Sequence, residues 1–317
     1  MTLTTTRPAG AATMTAVEPA ATARRVETGG PLAAGPARGA RGARGACDPR
    51  GSLVAASGRA RESARESEHF ARIEADGWRL HAPRGHVWPD GHSKPPPEPG
   101  VWAEAWPALW ADAEAGRLEV IKQGSGGDVL SCSREVGGRS YDLIVKRPRA
   151  AHVGKALADC VRTPRARRSW RRTWRLLALG MLAERPMLLA ERRRFGKLGR
   201  VVDSAFVSQR VPGEILHTAD LDALGGEDRR RLLRRVGTTL RRLEDHGLSH
   251  TDAKAYNWIV NPAPAGDAAR GTAPVLIDCD AVKPGRAGEG LLRLVRALRE
   301  RGLGDADIMH VRAGYGA

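Results

Sequence analysis

His250-Thr251-Asp252-Ala253-Lys254-Ala255-Tyr256-Asn257 is the stretch of this chain best equipped for chemistry. Its aspartate stands two residues after a histidine and five before an asparagine, and the apolar Trp258-Ile259-Val260 follows at once. A phosphotransferase loop uses that spacing, with Asp252 orienting an acceptor hydroxyl and Asn257 holding a metal. The same residues would also suit a polar turn between a helix and a strand, where Asp and Asn serve turn geometry. What separates the readings is whether a nucleotide lysine and a second metal carboxylate flank the loop at workable distances.

Both are present. Lys146 ends the apolar run Leu143-Ile144-Val145, close to the Val-Ala-Ile-Lys form in which a strand-borne lysine reaches nucleotide phosphates, although strands ending in a solvated lysine are common. Asp278 ends the apolar run Val275-Leu276-Ile277, with Asp280 as a supporting carboxylate. Asn257 and Asp278 could complete the oxygen shell of a Mg²⁺ ion held by ATP phosphates. Asp252 then stays free for the hydroxyl, and Lys146 neutralises phosphate charge.

The flanking elements must deliver these groups. Residues 118–122, 129–136 and 141–146 read as successive antiparallel strands, with Gly137-Gly138 as a hairpin signal. The first turn contains Gly124, Gly126 and Gly127, whose amides could approach phosphate without Cβ interference, but Val129 stands in place of a third motif glycine. Residues 186–191 and 204–209 read as two more strands around a basic hairpin. The connector 210–214 lies where a two-lobed kinase binds the adenine edge. A basic helix over 162–179 stops at Gly180, a second helix over 228–246 stops at Gly247, and a short amphipathic helix covers 291–298. Trp102, Trp106 and Trp110 form a helical stripe of packing residues.

The chain of 317 residues carries 41% hydrophobic residues, enough for a core, and a formal net charge of +16. That charge favours an anionic partner: phosphate, an acidic membrane face or nucleic acid. An aromatic content of 4% argues against a base-stacking surface, so nucleic acid is not favoured. Cys47, Cys132, Cys160 and Cys279 show neither paired nor zinc-like spacing, which fits a reducing cytoplasm. No apolar run suffices to cross a bilayer, so any membrane contact is expected to be peripheral. The expected organisation is a disordered Ala/Gly/Arg-rich extension over 1–58, a Trp-rich segment over 59–117, an N-lobe over 118–211 and a reduced C-lobe over 212–317.

The chain resembles the lipopolysaccharide core kinases, the Kdo and heptose kinases, from about residue 118 to 298. The resemblance lies in Val120-Ile121-Lys122-Gln123-Gly124, Ile144-Val145-Lys146-Arg147, Arg167-Arg168-Ser169-Trp170, Ala190-Glu191-Arg192-Arg193 and the His250 and Asp278 motifs. It implies an α+β, protein-kinase-like two-lobed fold with an antiparallel N-lobe sheet and a small helical C-lobe. It also implies ATP- and Mg²⁺-dependent phosphorylation of an anionic sugar or glycolipid acceptor at the cytoplasmic membrane face. Two departures stand out. The basic helix has no acidic residue to pair with Lys146, so Glu184 or Glu191 must substitute, or the lysine is positioned differently. Lys254 matches Ser/Thr protein kinases, where such a lysine contacts the transferred phosphate, which keeps protein and aminoglycoside-type substrates open. An inactive nucleotide-binding regulator is the alternative from outside the enzymes.

Overall fold

Tyr141, Leu143 and Val145 are buried while Ser140 and Asp142 are exposed, the period-two pattern of a strand with one face on a core. They belong to β5 (Arg139–Arg147), paired along its length with β4 (Gly127–Val136). Gly137 and Gly138 join them with φ of +60° and +73°, the left-handed pair whose twist matches a tight hairpin. The computed structural model describes residues 69–85, 94–124, 126–148, 163–194, 200–261 and 272–317. The extension over 1–58 lies outside the described residues, as does most of the basic hairpin after residue 194.

With β1 (Phe70–Ala75), β2 (Trp78–Pro83), β3 (Glu119–Gly124), β6 (Arg185–Arg193) and β7 (Val201–Gln209), these strands form a seven-stranded sheet in the order β1-β2-β6-β7-β5-β4-β3. Every neighbouring pair is antiparallel. The five strands expected from sequence are β3 to β7. The hairpin β1–β2 extends their sheet beyond β6 and was not anticipated, although its turn, Asp76-Gly77 with φ of +48° and +73°, is an Asp-Gly hairpin signal.

Helix α1 (Trp102–Glu114) buries Trp102, Trp106 and Trp110. Trp78 of β2 meets Trp106 and Trp110 at ring-centroid distances of 5.1 and 4.6 Å, so the tryptophan stripe is packing, as its spacing predicts. Helix α2 (Arg165–Ala178) buries Trp170, Leu176 and Leu177 and ends before Gly180, whose φ is +69°. Phe70 of β1 packs on Trp170 and Trp174 at 5.4 and 5.0 Å, which ties the extra hairpin to this helix.

A second tie is ionic. Arg167 of α2 donates two hydrogen bonds to the fully buried Glu191 of β6, Nε to Oε1 at 2.8 Å and Nη2 to Oε2. Beside it, burial and the Arg167 charge push His81 down to about 4, against a pull from Glu191. A histidine neutral when folded and protonated when unfolded makes stability fall as pH drops from about 6.5 to 4, because the unfolded chain then binds the extra proton. We expect unfolding experiments to show on the order of 2 kcal/mol lost across that window, and His81→Asn to remove most of the slope.

The remaining half is helical. Helix α3 (Gly226–Asp245) buries Leu232, Leu233, Val236, Leu240 and Leu243 and is followed by Gly247 in the left-handed region. Helix α4 (Glu289–Glu300) buries Leu291, Leu294 and Leu298 as expected. Helix α5 (Asp305–Tyr315), not expected from sequence, buries Ile308, Val311 and Tyr315. Its backbone crosses α3 at two glycines: a Cβ on Gly237 would collide with the Val311 carbonyl, and one on Gly314 with the Arg234 carbonyl. Thr238 adds a hydrogen bond from its hydroxyl to the Gly314 carbonyl at 3.0 Å. Gly314→Ala should therefore cost about 2–3 kcal/mol, read as a lower unfolding midpoint, whereas Gly304→Ala, in open space, should cost far less. The antiparallel sheet and this mainly helical half make an α+β arrangement.

Candidate active site

Two short ladders hold the chemistry. Strand β9 (Leu248–His250) pairs with β12 (Val282–Pro284), and β10 (Trp258–Asn261) pairs with β11 (Ala273–Leu276). The loop 251–257 runs from β9 to β10, and the turn 277–281 runs from β11 to β12, so pairing at both ends sets the two segments side by side. Cross-links fix the register: Ile277 N–H donates to the Asn257 carbonyl at 2.9 Å, and Thr251 N–H to the Ala281 carbonyl at 3.1 Å. These bonds tie Asn257 to the residue before Asp278, and the residue before Asp252 to the end of the same turn.

Within the loop, each polar group has a partner that shapes it. Asp252 N–H donates to His250 Nδ1 at 3.2 Å. Burial holds His250 below the usual histidine range despite the nearby Asp278 and Asp252 charges, so it is a neutral scaffold residue. Asn257 donates Nδ2 to the Asp252 carbonyl at 2.7 Å, which commits the amide nitrogen and leaves the oxygen as its acceptor atom. Asp252 itself is half exposed, with Lys254 Nζ 2.8 Å from its Oδ1. A carboxylate and an amide oxygen on adjacent loops are hard donors of the kind Mg²⁺ takes together with phosphate and water. Among the described residues no group of three or more His, Cys, Asp or Glu could hold a metal unaided.

Asp278 has φ +56° and ψ +49°, a left-handed conformation that a non-glycine residue keeps only where its surroundings impose it. The 3-10 turn over Cys279–Ala281 follows. Burial raises the Asp278 carboxyl, but Lys146 and Arg165 outweigh it and hold the group below the ordinary aspartate range. Asp280 goes the other way: burial and the Asp278 charge push it up against Arg165. A metal ligand should be ionised, so Asp278 suits that task better than its neighbour.

Lys146 enters from β5, in register with Phe206 of β7. Its partner is Glu184, with Nζ 2.8 Å from Oε2. Burial would lower the Lys146 ammonium, yet Glu184 and Asp278 outweigh it and keep its pKa above the usual lysine value. Glu184 comes from the segment between α2 and β6, and its backbone N–H donates to the Leu276 carbonyl of β11 at 2.8 Å. Its carboxylate also accepts from Cys279 N–H at 3.4 Å and Ser208 Oγ at 3.4 Å. One buried residue thus links the lysine strand, the sheet and the Asp278 turn. Of the two candidates named from sequence, Glu184 makes the pair, while Glu191 is held by Arg167.

The glycine turn lies at the β3–β4 junction, where Gly124 and Gly127 are cross-strand partners. Gly127 has φ +132°, and a Cβ there would strike the Arg147 carbonyl, so only glycine fits. Gly126 lies against Arg165, whose Nη1 reaches the Gly126 carbonyl at 3.5 Å. Arg165, which sequence spacing did not single out, thus joins the glycine turn to the Asp278 turn. After β7, the connector leads to β8 (Glu214–Ile215), which pairs with β10.

No protein-family profile matches the chain, and no curated protein matches it. Among solved structures, one described as WaaP in complex with acyl carrier protein is similar over 67% of this chain and 86% of that one, with 19% identity and a TM-score of 0.46. That likeness is one of fold alone.

Proposed function

We propose that this chain is an ATP-dependent phosphotransferase that phosphorylates a sugar hydroxyl of an anionic glycolipid, of the kind found in the lipopolysaccharide inner core. The observation that carries the reading is the convergence of the Lys146–Glu184 pair with Asp252, Asn257 and Asp278 on two loops clamped by the short ladders. Mg²⁺, held by Asn257 and Asp278, would neutralise the phosphates and align them for transfer. Lys146 offsets phosphate charge, Gly124, Gly126 and Gly127 let the β3–β4 turn approach the nucleotide, and the 210–214 connector offers backbone groups to the adenine edge.

Asp252 accepts a hydrogen bond from the acceptor hydroxyl and takes its proton as the oxygen attacks the γ-phosphorus, whose bond to the β,γ-bridging oxygen breaks to release ADP. Lys254, beside Asp252 at 2.8 Å, offers a cation to the phosphoryl group in transfer. Two surface features favour a sugar acceptor with negative charge. Tyr256, 52% exposed and in the same loop as Asp252, stacks on His217 with ring centroids 3.8 Å apart, an exposed aromatic of the kind that packs on sugar rings. The arginines of α2 and the net charge of +16 suit an anionic substrate and peripheral contact with an acidic membrane face on the cytoplasmic side. Among the described residues no helix is long and apolar enough to cross a membrane.

The test is transfer from ATP and Mg²⁺ to deacylated inner-core oligosaccharide, intact glycolipid, a basic protein and an aminoglycoside, with products identified by mass spectrometry. Phosphate on the sugar acceptors supports the reading. Phosphate on the basic protein or aminoglycoside alone would overturn the acceptor, and ATP binding without transfer to any alcohol would favour a regulator.

A further inference from the structure

Arg165 opens helix α2 and touches both parts of the candidate nucleotide site at once. Its Nε donates to Asp280 Oδ2 at 2.7 Å, Nη2 reaches Asp278 Oδ1 at 3.5 Å and Asp280 Oδ1 at 3.4 Å, and Nη1 reaches the Gly126 carbonyl at 3.5 Å. The contact with the glycine turn is close, since a Cβ on Gly126 would lie 3.0 Å from Nη1. We propose, resting on the nucleotide-site reading above, that Arg165 is a phosphate-binding residue, whose terminal nitrogens leave Asp278 and Gly126 for oxygens of the β- or γ-phosphate while Nε stays on Asp280.

The distances divide the guanidinium into a fixed and an exchangeable part. A contact of 2.7 Å is a strong charge-assisted hydrogen bond, whereas 3.4–3.5 Å is the outer limit of one. The terminal nitrogens therefore give up little when they change partner. Asp280 is the anchor of a wider cluster: Arg168 stands 3.9 Å from its carboxylate, and Arg172 Nη1 donates to its carbonyl. That cluster gives the second acid of the Asp278-Cys279-Asp280 turn a task of its own, holding arginines of α2.

Charge points the same way. Glu184 already balances Lys146, and ATP with one bound Mg²⁺ remains anionic, so a second cation at the glycine turn is electrostatically favoured. When Mg²⁺ binds Asp278, that carboxylate holds Arg165 less strongly, which frees the planar fork for a phosphate it fits in two-pronged fashion. In this chain the helix supplies an arginine to the nucleotide site, and the lysine-pairing glutamate comes from beyond the helix.

The test is titration calorimetry of the full chain with ATP, ADP and adenosine in Mg²⁺, for wild type, Arg165→Ala, Arg165→Lys and Lys146→Ala, each checked by thermal melting. Arg165→Ala should weaken ATP binding roughly ten- to hundredfold and leave adenosine binding unchanged. Arg165→Lys should fold like wild type and recover only part of the loss, since an ammonium lacks the fork. Unchanged ATP affinity in Arg165→Ala, with loss in Lys146→Ala, would overturn the arginine assignment and leave the nucleotide site standing. Equal losses for ATP and adenosine would show a packing role and overturn it too. A wild-type chain that binds no nucleotide would remove both.

Discussion

Asp252→Asn should lower phosphoryl transfer by about 10²–10⁴-fold while leaving Mg·ATP affinity within a factor of about two or three. The substitution removes the proton acceptor but little else. What locks the loop are the Asp252 carbonyl, which accepts from Asn257 Nδ2 at 2.7 Å and from Lys254 N–H at 2.8 Å, and its N–H, which donates to His250. None of these involves the carboxylate. Only the contact with Lys254 is lost, and that pair is half exposed and worth little to stability. Initial rates, nucleotide titration and a melting curve on the same preparation check all three expectations. A rate within tenfold of wild type would exclude Asp252 as the base, and a parallel collapse of stability would mean that the carboxylate is structural.

Glu184→Gln should be the most damaging single change near the site for stability, costing about 3–5 kcal/mol at neutral pH. It leaves the Lys146 ammonium in a largely buried position with Asp278 as its remaining nearby carboxylate, and it weakens the links to Cys279 and Ser208. The sign of the pH dependence identifies the cause. In the wild type Lys146 has a raised folded pKa, so its contribution is complete below the unfolded value and fades only as alkaline pH passes the folded one. In the variant burial dominates and the folded pKa falls below the unfolded one. The unfolded chain then binds more protons, and the deficit should shrink from about pH 8 to pH 10. Chemical denaturation across that range measures it. A deficit below about 1 kcal/mol, or one independent of pH, would show that the pair is not a desolvated ion pair.

Lys146, Asp252, Asn257 and Asp278 were legible in the sequence because each sits at the end of an apolar run or in a fixed spacing, and the order of the runs sets the order of the elements. Glu184 was harder to place. It lies in Ala183-Glu184-Arg185-Pro186, a polar interruption before a strand, and nothing local says that it will be 2% exposed and bonded to β11. Its partner lies 38 positions away, so the pair exists only once α2 folds across the sheet. Arg165 was hidden for the opposite reason. It is one of many arginines on α2, and residue type cannot tell the one above Asp280 from those facing solvent.

Two elements escaped for reasons of pattern. In β1–β2 the Asp76-Gly77 turn and the alternation of apolar residues with Arg72, Glu74, Arg79 and His81 were usable signals, but Ala71, Ala75 and Ala82, small residues of low strand propensity, fill half of the apolar positions. Helix α5 buries Ile308, Val311 and Tyr315, yet it earns its place by backbone contact at Gly314, and glycine in a helix reads as a breaker until its partner Gly237 is seen across the crossing.

The central claim, that Lys146 with Asn257 and Asp278 forms a metal-nucleotide site, is tested most directly by measuring ATP affinity as a function of Mg²⁺ in wild type, Lys146→Ala and Asp278→Asn. Wild type should bind ATP more tightly as Mg²⁺ rises, Asp278→Asn should lose most of that dependence, and Lys146→Ala should weaken ATP at every Mg²⁺ concentration. ATP binding that ignores Mg²⁺ in the wild type, or that neither substitution alters, would contradict it.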